Sequence, residues 1–101
     1  MNPQQMLQQA RKLQAQLAKV QEELGQESVT GSAASGAVVV TLDGHGGVRS
    51  IKLNKDAVDP DDVETLEDLI VLALKDAQAN AQALSQARLG PLAGGLGMPG
   101  F

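Results

Sequence analysis

Three basic side chains near the N-terminus offer the clearest candidate chemistry in the chain. Residues 1–21 contain Arg11, Lys12 and Lys19 and no acidic residue. Lys12 and Lys19 are seven residues apart, so on a helix they share one stripe, with Arg11 beside them. Such charges either keep the outer face of an amphipathic helix in water or neutralise the phosphates of DNA. Periodicity alone leaves both explanations open.

The residues around these cations narrow the kind of nucleic acid that they could bind. Several glutamines surround them and can add neutral hydrogen bonds to a DNA backbone. Phe101 is the single aromatic residue, so the base stacking that holds single strands is not available. We therefore favour double-stranded DNA as the partner if these cations bind nucleic acid. Arg88, near the far end of the second predicted helix, is a fourth candidate.

Catalytic and metal-binding patterns are missing from the sequence. His45 is the only histidine and lies beside Asp43 in a glycine-rich turn, but neither further metal ligands nor a nucleophile accompany it. The turn does not contain a phosphate-binding glycine motif. The acidic residues between positions 56 and 68 suit the start of a helix better than a calcium loop. We predict no enzyme activity, no metal, no cofactor and no small-molecule substrate.

Composition limits the class of protein. The 101 residues match one domain, carry a net charge of −4 and include no cysteine, which excludes disulfides and thiolate metal sites. The N-terminus lacks a signal-like apolar segment, and the longest apolar run, residues 69–74, is too short to cross a bilayer. We therefore expect a cytoplasmic protein without a membrane partner.

A long helix over residues 59–89 organises the predicted fold. Asp59 is the predicted cap and Pro60 suits the first helical position. About 30 residues span roughly 45 Å, more than a chain of this size can cover, so we expect the helix to be the spine of a homodimer. Residues 69–74 are apolar on every side and mark the subunit interface or central core. The predicted interface residues are Leu69, Ile70, Leu72, Ala73 and Leu74.

The remaining segments predict an α+β fold with a three-stranded antiparallel meander between two long helices. Residues 3–24 repeat apolar side chains at steps of four and three and predict the N-terminal helix. Residues 28–30, 37–42 and 48–53 predict strands, with turns at 31–36 and 43–47. Residues 1–89 form the predicted domain, and residues 90–101 (GPLAGGLGMPGF) a flexible Gly/Pro-rich tail.

The order of several short motifs resembles one known family. The first helix is rich in Met, Gln and Lys and ends in EEL at 22–24. Then come GVRSIKL at 47–53, DPDDVE at 59–64, LEDLI at 66–70, DA at 76–77 and GGLGMPG at 94–100. Over nearly its whole length the chain is similar to the YbaB/EbfC family of bacterial nucleoid-associated DNA-binding proteins.

The resemblance implies a tweezer-like homodimer that is located in the cytoplasm on the nucleoid. It implies binding of duplex DNA with limited sequence preference, which would influence nucleoid organisation and gene expression. Carried over to this sequence, the DNA-binding residues are Arg11, Lys12, Lys19 and Arg88. Many relatives carry a further cation just after the last helix, where this chain has Pro91 and Ala93. The acidic composition and the exposed length of helix favour an alternative function. In this alternative the chain is a protein–protein adaptor in DNA replication or recombination repair, which binds its partner through the apolar seam of the first helix or the glycine-rich tail.

Overall fold

The computed structural model of the chain describes residues 2–95, and it confirms the predicted α+β fold class. The elements, in order, are helix α1 (Pro3–Gln26), strands β1 (Ser28–Ala33), β2 (Val38–Asp43) and β3 (Val48–Leu53), a short 3₁₀ turn (Lys55–Ala57) and helix α2 (Val63–Gly95). The three strands form one antiparallel sheet in the order β1-β2-β3. The meander is therefore arranged as predicted, between two long helices.

Helix α1 begins with a capping box and ends two residues later than predicted. The side chain of Asn2 accepts a hydrogen bond from the backbone N–H of Gln5, and the Gln5 side chain accepts one from Asn2. Gly25, the first residue after the predicted helix, lies inside the helix. The N–H of Glu27 donates to the carbonyls of Glu23 and Leu24 and closes the last turn instead.

Strand β1 extends through residues 31–33, which the sequence predicts as a flexible turn. Gly31 is paired with Val40 on β2 and lies against the backbone of α2, where a Cβ would overlap the backbone N of Ala77. This glycine permits close packing of helix on sheet rather than a turn. The turn itself comprises residues 34–37, where Ala34 and Ser35 adopt positive φ angles of 53° and 56°.

Helix α2 starts four residues after the predicted cap at Asp59 and ends six residues after the predicted end at Leu89. Residues 59–62 form a turn closed by the Asp62 N–H donating to the Asp59 carbonyl. Asp62 then caps the helix by accepting from the backbone N–H and the hydroxyl of Thr65. Gly90 and Pro91, predicted to begin the tail, lie inside the helix. Residues 96–101 of that tail lie outside the described residues.

The core lies between α2 and one face of the sheet. Alternate residues of β2 point toward α2, where a stripe of alanines allows close approach. These fully or almost fully buried residues are Val38, Val40, Leu42, Ala73, Ala77 and Ala81. The molecule measures 70 × 23 × 16 Å, so much of its length lies outside this core. The extra length includes a projecting arm, which we define as residues 3–19 of α1.

Candidate nucleic-acid interface

The three N-terminal cations lie together on the arm. Arg11, Lys12 and Lys19 are all exposed on α1, and about 10 Å of helix separates Lys12 from Lys19. Lys12 and its glutamine neighbours line a shallow groove of about 410 Å³. Those neighbours are Gln5, Gln8 and Gln9. The arm thus presents positive charge and neutral amide groups on one open surface.

No acidic side chain within residues 2–95 forms an ion pair with Arg11, Lys12 or Lys19. Glu22 and Glu23 follow one turn after Lys19, so the basic character is confined to the outer part of α1. The cations are therefore available to an external anion, and that anion would meet little negative charge on the arm itself.

Arg88 lies at the base of the arm and does not join the other three cations. Its guanidinium forms an ion pair and hydrogen bond with the carboxylate of Glu27, the residue that follows α1. Both side chains are about one-third exposed. About 12 Å of helix rise separates the Lys19 and Glu27 positions. The pair ties the C-terminal part of α2 to the end of α1.

The hairpin between β2 and β3 makes contacts with α1 that the sequence does not reveal. His45 is exposed, as expected of a residue in the predicted turn, and its Nε2 lies 2.7 Å from the carbonyl oxygen of Gln21. Arg49 donates to the carbonyl oxygen of Gly25 at 2.6 Å and to Ser28 Oγ at 2.7 Å. The glycine-rich composition of the turn is the only local signal, and it predicts a hairpin without specifying these distant acceptors.

Asp43 organises the same hairpin. Its Oδ1 accepts hydrogen bonds from the backbone N–H groups of Gly47 at 3.0 Å and His45 at 2.8 Å. These two hydrogen bonds, chiefly that of Gly47, lower the pKa of the Asp43 carboxyl below its ordinary value. The carboxylate thus serves a structural purpose in the turn.

The apolar residues predicted for a subunit interface are divided between the core and the surface. Ala73 is fully buried against the sheet, while Leu69, Ile70 and Leu74 pack partly on the core. Leu72 is 56% exposed. Ala73 therefore has no side-chain surface left for a second subunit, whereas Leu72 does.

A larger apolar surface lies on β3. The register pairs Val48, Ile51 and Leu53 with Leu42, Val40 and Val38, so the β3 side chains lie on the helix-covered side of the sheet. Helix α2 covers β1 and β2, and Val48 and Ile51 remain 61% and 47% exposed. We call Val48, Ile51 and Leu53 the β3 apolar surface.

Other types of site are not found in the described part of the chain. Within residues 2–95, no three His, Cys, Asp or Glu side chains are grouped so that they could hold a metal ion. Asp59 and Asp62, from the acidic cluster, accept hydrogen bonds from nearby backbone N–H groups. No helix in this range is both long and apolar enough to cross a membrane.

Comparison with known proteins identifies the family. The model of the YbaB/EbfC DNA-binding family matches residues 1–96. The chain belongs to this family. This YbaB/EbfC chain is also 54% identical over 101 residues to a nucleoid-associated protein of Roseiflexus sp. (strain RS-1), and the match covers all of both chains. A nucleoid-associated protein of Streptomyces avermitilis is 52% identical over 100 residues, covering 99% of this chain and 88% of the relative.

A solved structure supports the fold independently. An uncharacterized protein from Helicobacter pylori superposes on this YbaB/EbfC chain with a TM-score of 0.73, covering 95% of this chain and 98% of the other. The two sequences are only 18% identical. The likeness therefore shows that the helix–meander–helix arrangement persists when most side chains differ.

Proposed function

We propose that this protein is a non-enzymatic homodimer that binds duplex DNA through its phosphate backbone with limited sequence preference. Its site of action is the nucleoid in the cytoplasm, where it influences nucleoid organisation and gene expression. The observation that carries the proposal is the exposed arm with Arg11, Lys12 and Lys19, whose charges have no ion-pair partner within residues 2–95. Membership of a DNA-binding family supports the choice of partner.

Backbone contacts suit the chemistry of the arm. Arginine and lysine bind phosphate oxygens without regard to base identity, and the glutamines can donate neutral hydrogen bonds to the same backbone. Arg88 is a separate contact beyond the arm, and because Glu27 already balances its charge, it is not counted among the cations of the arm. Because a guanidinium has five N–H donors, Arg88 can keep its contact with Glu27 and still donate to a phosphate.

The β3 apolar surface supports the homodimer. A second copy of the chain, placing its own β3 against this surface, would cover Val48, Ile51 and Leu53. In an isologous contact of this kind, both subunits contribute the same surface to the interface. It would present two arms to one duplex.

The salt dependence of DNA binding tests the mechanism. If each arm contributes three cations, about six phosphates are neutralised, and the logarithm of the binding constant falls with the logarithm of salt concentration with a slope of roughly −5. Mobility-shift titrations on random duplex DNA at several salt concentrations measure this slope. A slope near zero would refute backbone binding.

A matched pair of charge variants locates the site. Arg11→Gln, Lys12→Gln and Lys19→Gln together remove the arm charges, and we expect DNA binding to be lost near physiological salt while the dimer persists. The control changes Lys52, Lys55 and Lys75, three exposed cations outside the arm, to glutamine, with the same change in net charge. Equal losses in both variants would mean that net charge, rather than the arm, governs binding.

A second candidate function is a protein–protein adaptor in DNA replication or recombination repair. Met6 and Leu7, near the tip of the arm, are 57% and 52% exposed, which favours an apolar partner there. Pull-down from nuclease-treated lysate with the wild type and with Met6→Ser plus Leu7→Ser separates the two functions. Loss of a captured replication or repair protein with unchanged DNA binding would favour the adaptor.

A further inference from the structure

The direction of α1 is determined near its C-terminal end. Every residue from 2 to 12 is exposed, and the first fully buried side chain of α1 is Leu24. Leu13, Leu17 and Val20 are only half-buried. The angle of the outer arm to the sheet therefore depends on the packing of α1 against α2 and on the contacts around residues 21–27.

The β2–β3 hairpin supplies three hydrogen bonds to carbonyls at that end. The Nε2 of His45 lies 2.7 Å from the oxygen of Gln21, the N–H of Gly44 donates to Leu24 at 2.8 Å, and Arg49 Nη2 donates to Gly25 at 2.6 Å. Carbonyls in the last turn of a helix lack partners within the helix, and that of Gly25 is one of these. The Gln21 carbonyl lies one turn earlier, and the Leu24 carbonyl also accepts from the N–H of Glu27. We call His45, Gly44 and Arg49 the hairpin clamp.

The clamp is also electrostatically suited to its position. The C-terminal end of a helix carries partial negative charge, and α1 has no basic residue in its own last turn. Arg49 brings a guanidinium to this end from β3. A bulge in the β2–β3 register near Thr41 and Leu42 places Arg49 outside the regular pairing, so its side chain can reach across to Gly25 and Ser28.

The turn that carries the clamp is itself held firmly. Asp43 accepts from the N–H groups of His45 and Gly47, and Gly46 adopts a positive φ of 88°. A Cβ at Gly44 would overlap the carbonyl oxygen of Leu24. The turn can therefore approach α1 closely only with glycine at position 44.

We propose that His45 and Arg49 are positioning residues for DNA binding, which hold the arm at the angle that places its cations against successive phosphates. This inference rests on the proposed function. Lys12 lies about 18 Å along the helix from Leu24, so a tilt of about 10° would move it by about 3 Å. That shift is comparable to the rise of about 3.4 Å per nucleotide along one DNA strand. Loss of the clamp would thus misalign the arm cations with the DNA phosphates without removing a cation from the arm.

Distance measurements test the structural half of the proposal. Because the chain has no cysteine, Gln4→Cys on the arm and Lys55→Cys on the body can be spin-labelled uniquely. Labelled chains are diluted with excess unlabelled protein so that each dimer carries one labelled copy. We expect one narrow distance distribution by double electron–electron resonance in the wild type and a broad one in His45→Ala plus Arg49→Gln.

Conservative variants separate positioning from general stability. In His45→Gln, the side-chain amide nitrogen can donate to Gln21 as the imidazole Nε2 does, so this variant should keep the narrow distribution and DNA affinity. His45→Ala alone should broaden the distribution and provides the test if the double variant does not fold. Lys52→Gln, which removes a cation from the same strand outside the clamp, controls for the charge removed at Arg49.

DNA binding of the unlabelled variants tests the functional half. We expect the double clamp variant to bind roughly tenfold more weakly, with a salt slope reduced by about 1 for each phosphate that the arm no longer neutralises. A broad distribution with full affinity, or a narrow distribution in the folded double variant, would overturn the clamp proposal alone. If neutralising the three arm cations leaves DNA binding unchanged, the proposed function and the clamp proposal both fail.

Discussion

Gly31 on β1 packs directly against the backbone of Ala77 on α2. A Cβ at position 31 would overlap the backbone N and Cα of Ala77 and the carbonyl oxygen of Ala73. The absence of a side chain therefore sets the distance between α2 and the sheet.

Replacing this glycine should destabilise the protein. We expect Gly31→Ala to lower the free energy of unfolding by about 1–3 kcal/mol, because the helix backbone must move to admit the methyl group. Gly90→Ala is the matched control, since a Cβ there meets no atom within 4 Å and alanine favours the helix by about 0.5–1 kcal/mol. Urea unfolding at one fixed protein concentration measures both. Equal stability of Gly31→Ala and the wild type would contradict the packing described.

The β1–β2 turn should be open to stabilisation. Ala34 and Ser35 adopt positive φ angles without being glycine, which costs about 1–2 kcal/mol per residue. The N–H of Ala37 donates to the Ala34 carbonyl, so Ser35 and Gly36 are the central residues of the turn. Ser35→Asn gives them the Asn-Gly pair that such turns prefer, and we expect it to raise the midpoint of thermal unfolding. Gly36 adopts a φ of 89° in open space, so Gly36→Ala should lower the midpoint through backbone strain alone. A lower midpoint for the Asn-Gly variant would count against this turn geometry.

Stability should fall in acid partly through Asp43. Hydrogen bonds from Gly47 and His45 lower the pKa of this carboxyl in the folded state, so its contribution is present above the unfolded-state pKa of about 3.9. It is lost as pH falls through the lower folded-state pKa. Asp43→Asn can accept the same hydrogen bonds but does not titrate. The unfolding free energy of the wild type relative to Asp43→Asn should therefore decrease below about pH 4; parallel profiles from pH 6 to pH 2 would refute the assignment.

Subunit association should depend on the β3 apolar surface. Ile51→Glu places a charge on this surface and should shift sedimentation equilibrium toward the monomer, because burial of an unpaired carboxylate is costly. Lys52→Glu, on the adjacent exposed residue of the opposite sheet face, should leave association unchanged. A dimer that is unaffected by Ile51→Glu would place the interface elsewhere.

The sequence predicts elements well where one local cause determines them. The β-branched run of β2 and its two-residue period are sufficient to predict both the strand and its buried face. Val38, Val40 and Leu42 all face α2, as this period predicts. The prediction for Gly31 is wrong because glycine can serve either a turn or a close approach, and only the position of α2 distinguishes these uses. The predicted start of α2 is misplaced because both Asp59 and Asp62 can cap a helix, and the turn that joins them favours the second.

Contacts between distant segments could not be predicted from local patterns. Arg88 is a candidate DNA ligand by its charge and by the family resemblance, and its partner Glu27 is 61 residues away. The sequence around His45 predicts a turn, but nothing near it indicates a hydrogen bond to the carbonyl of Gln21. Sequence predicts the positions of the basic residues, but the angle at which α1 carries them depends on tertiary structure.

Because residues 2–12 are exposed, the outer arm contributes little to the stability of the sheet and its packing with α2. The length of the arm can therefore change without altering the rest of the fold. An insertion of seven helical residues would extend it by about 10 Å, or about three base pairs, and rotate the outer face by only about 20°. The sheet and its contacts with α2 would be unchanged. The reach of the proposed DNA-binding arm can therefore change independently of the scaffold that anchors it.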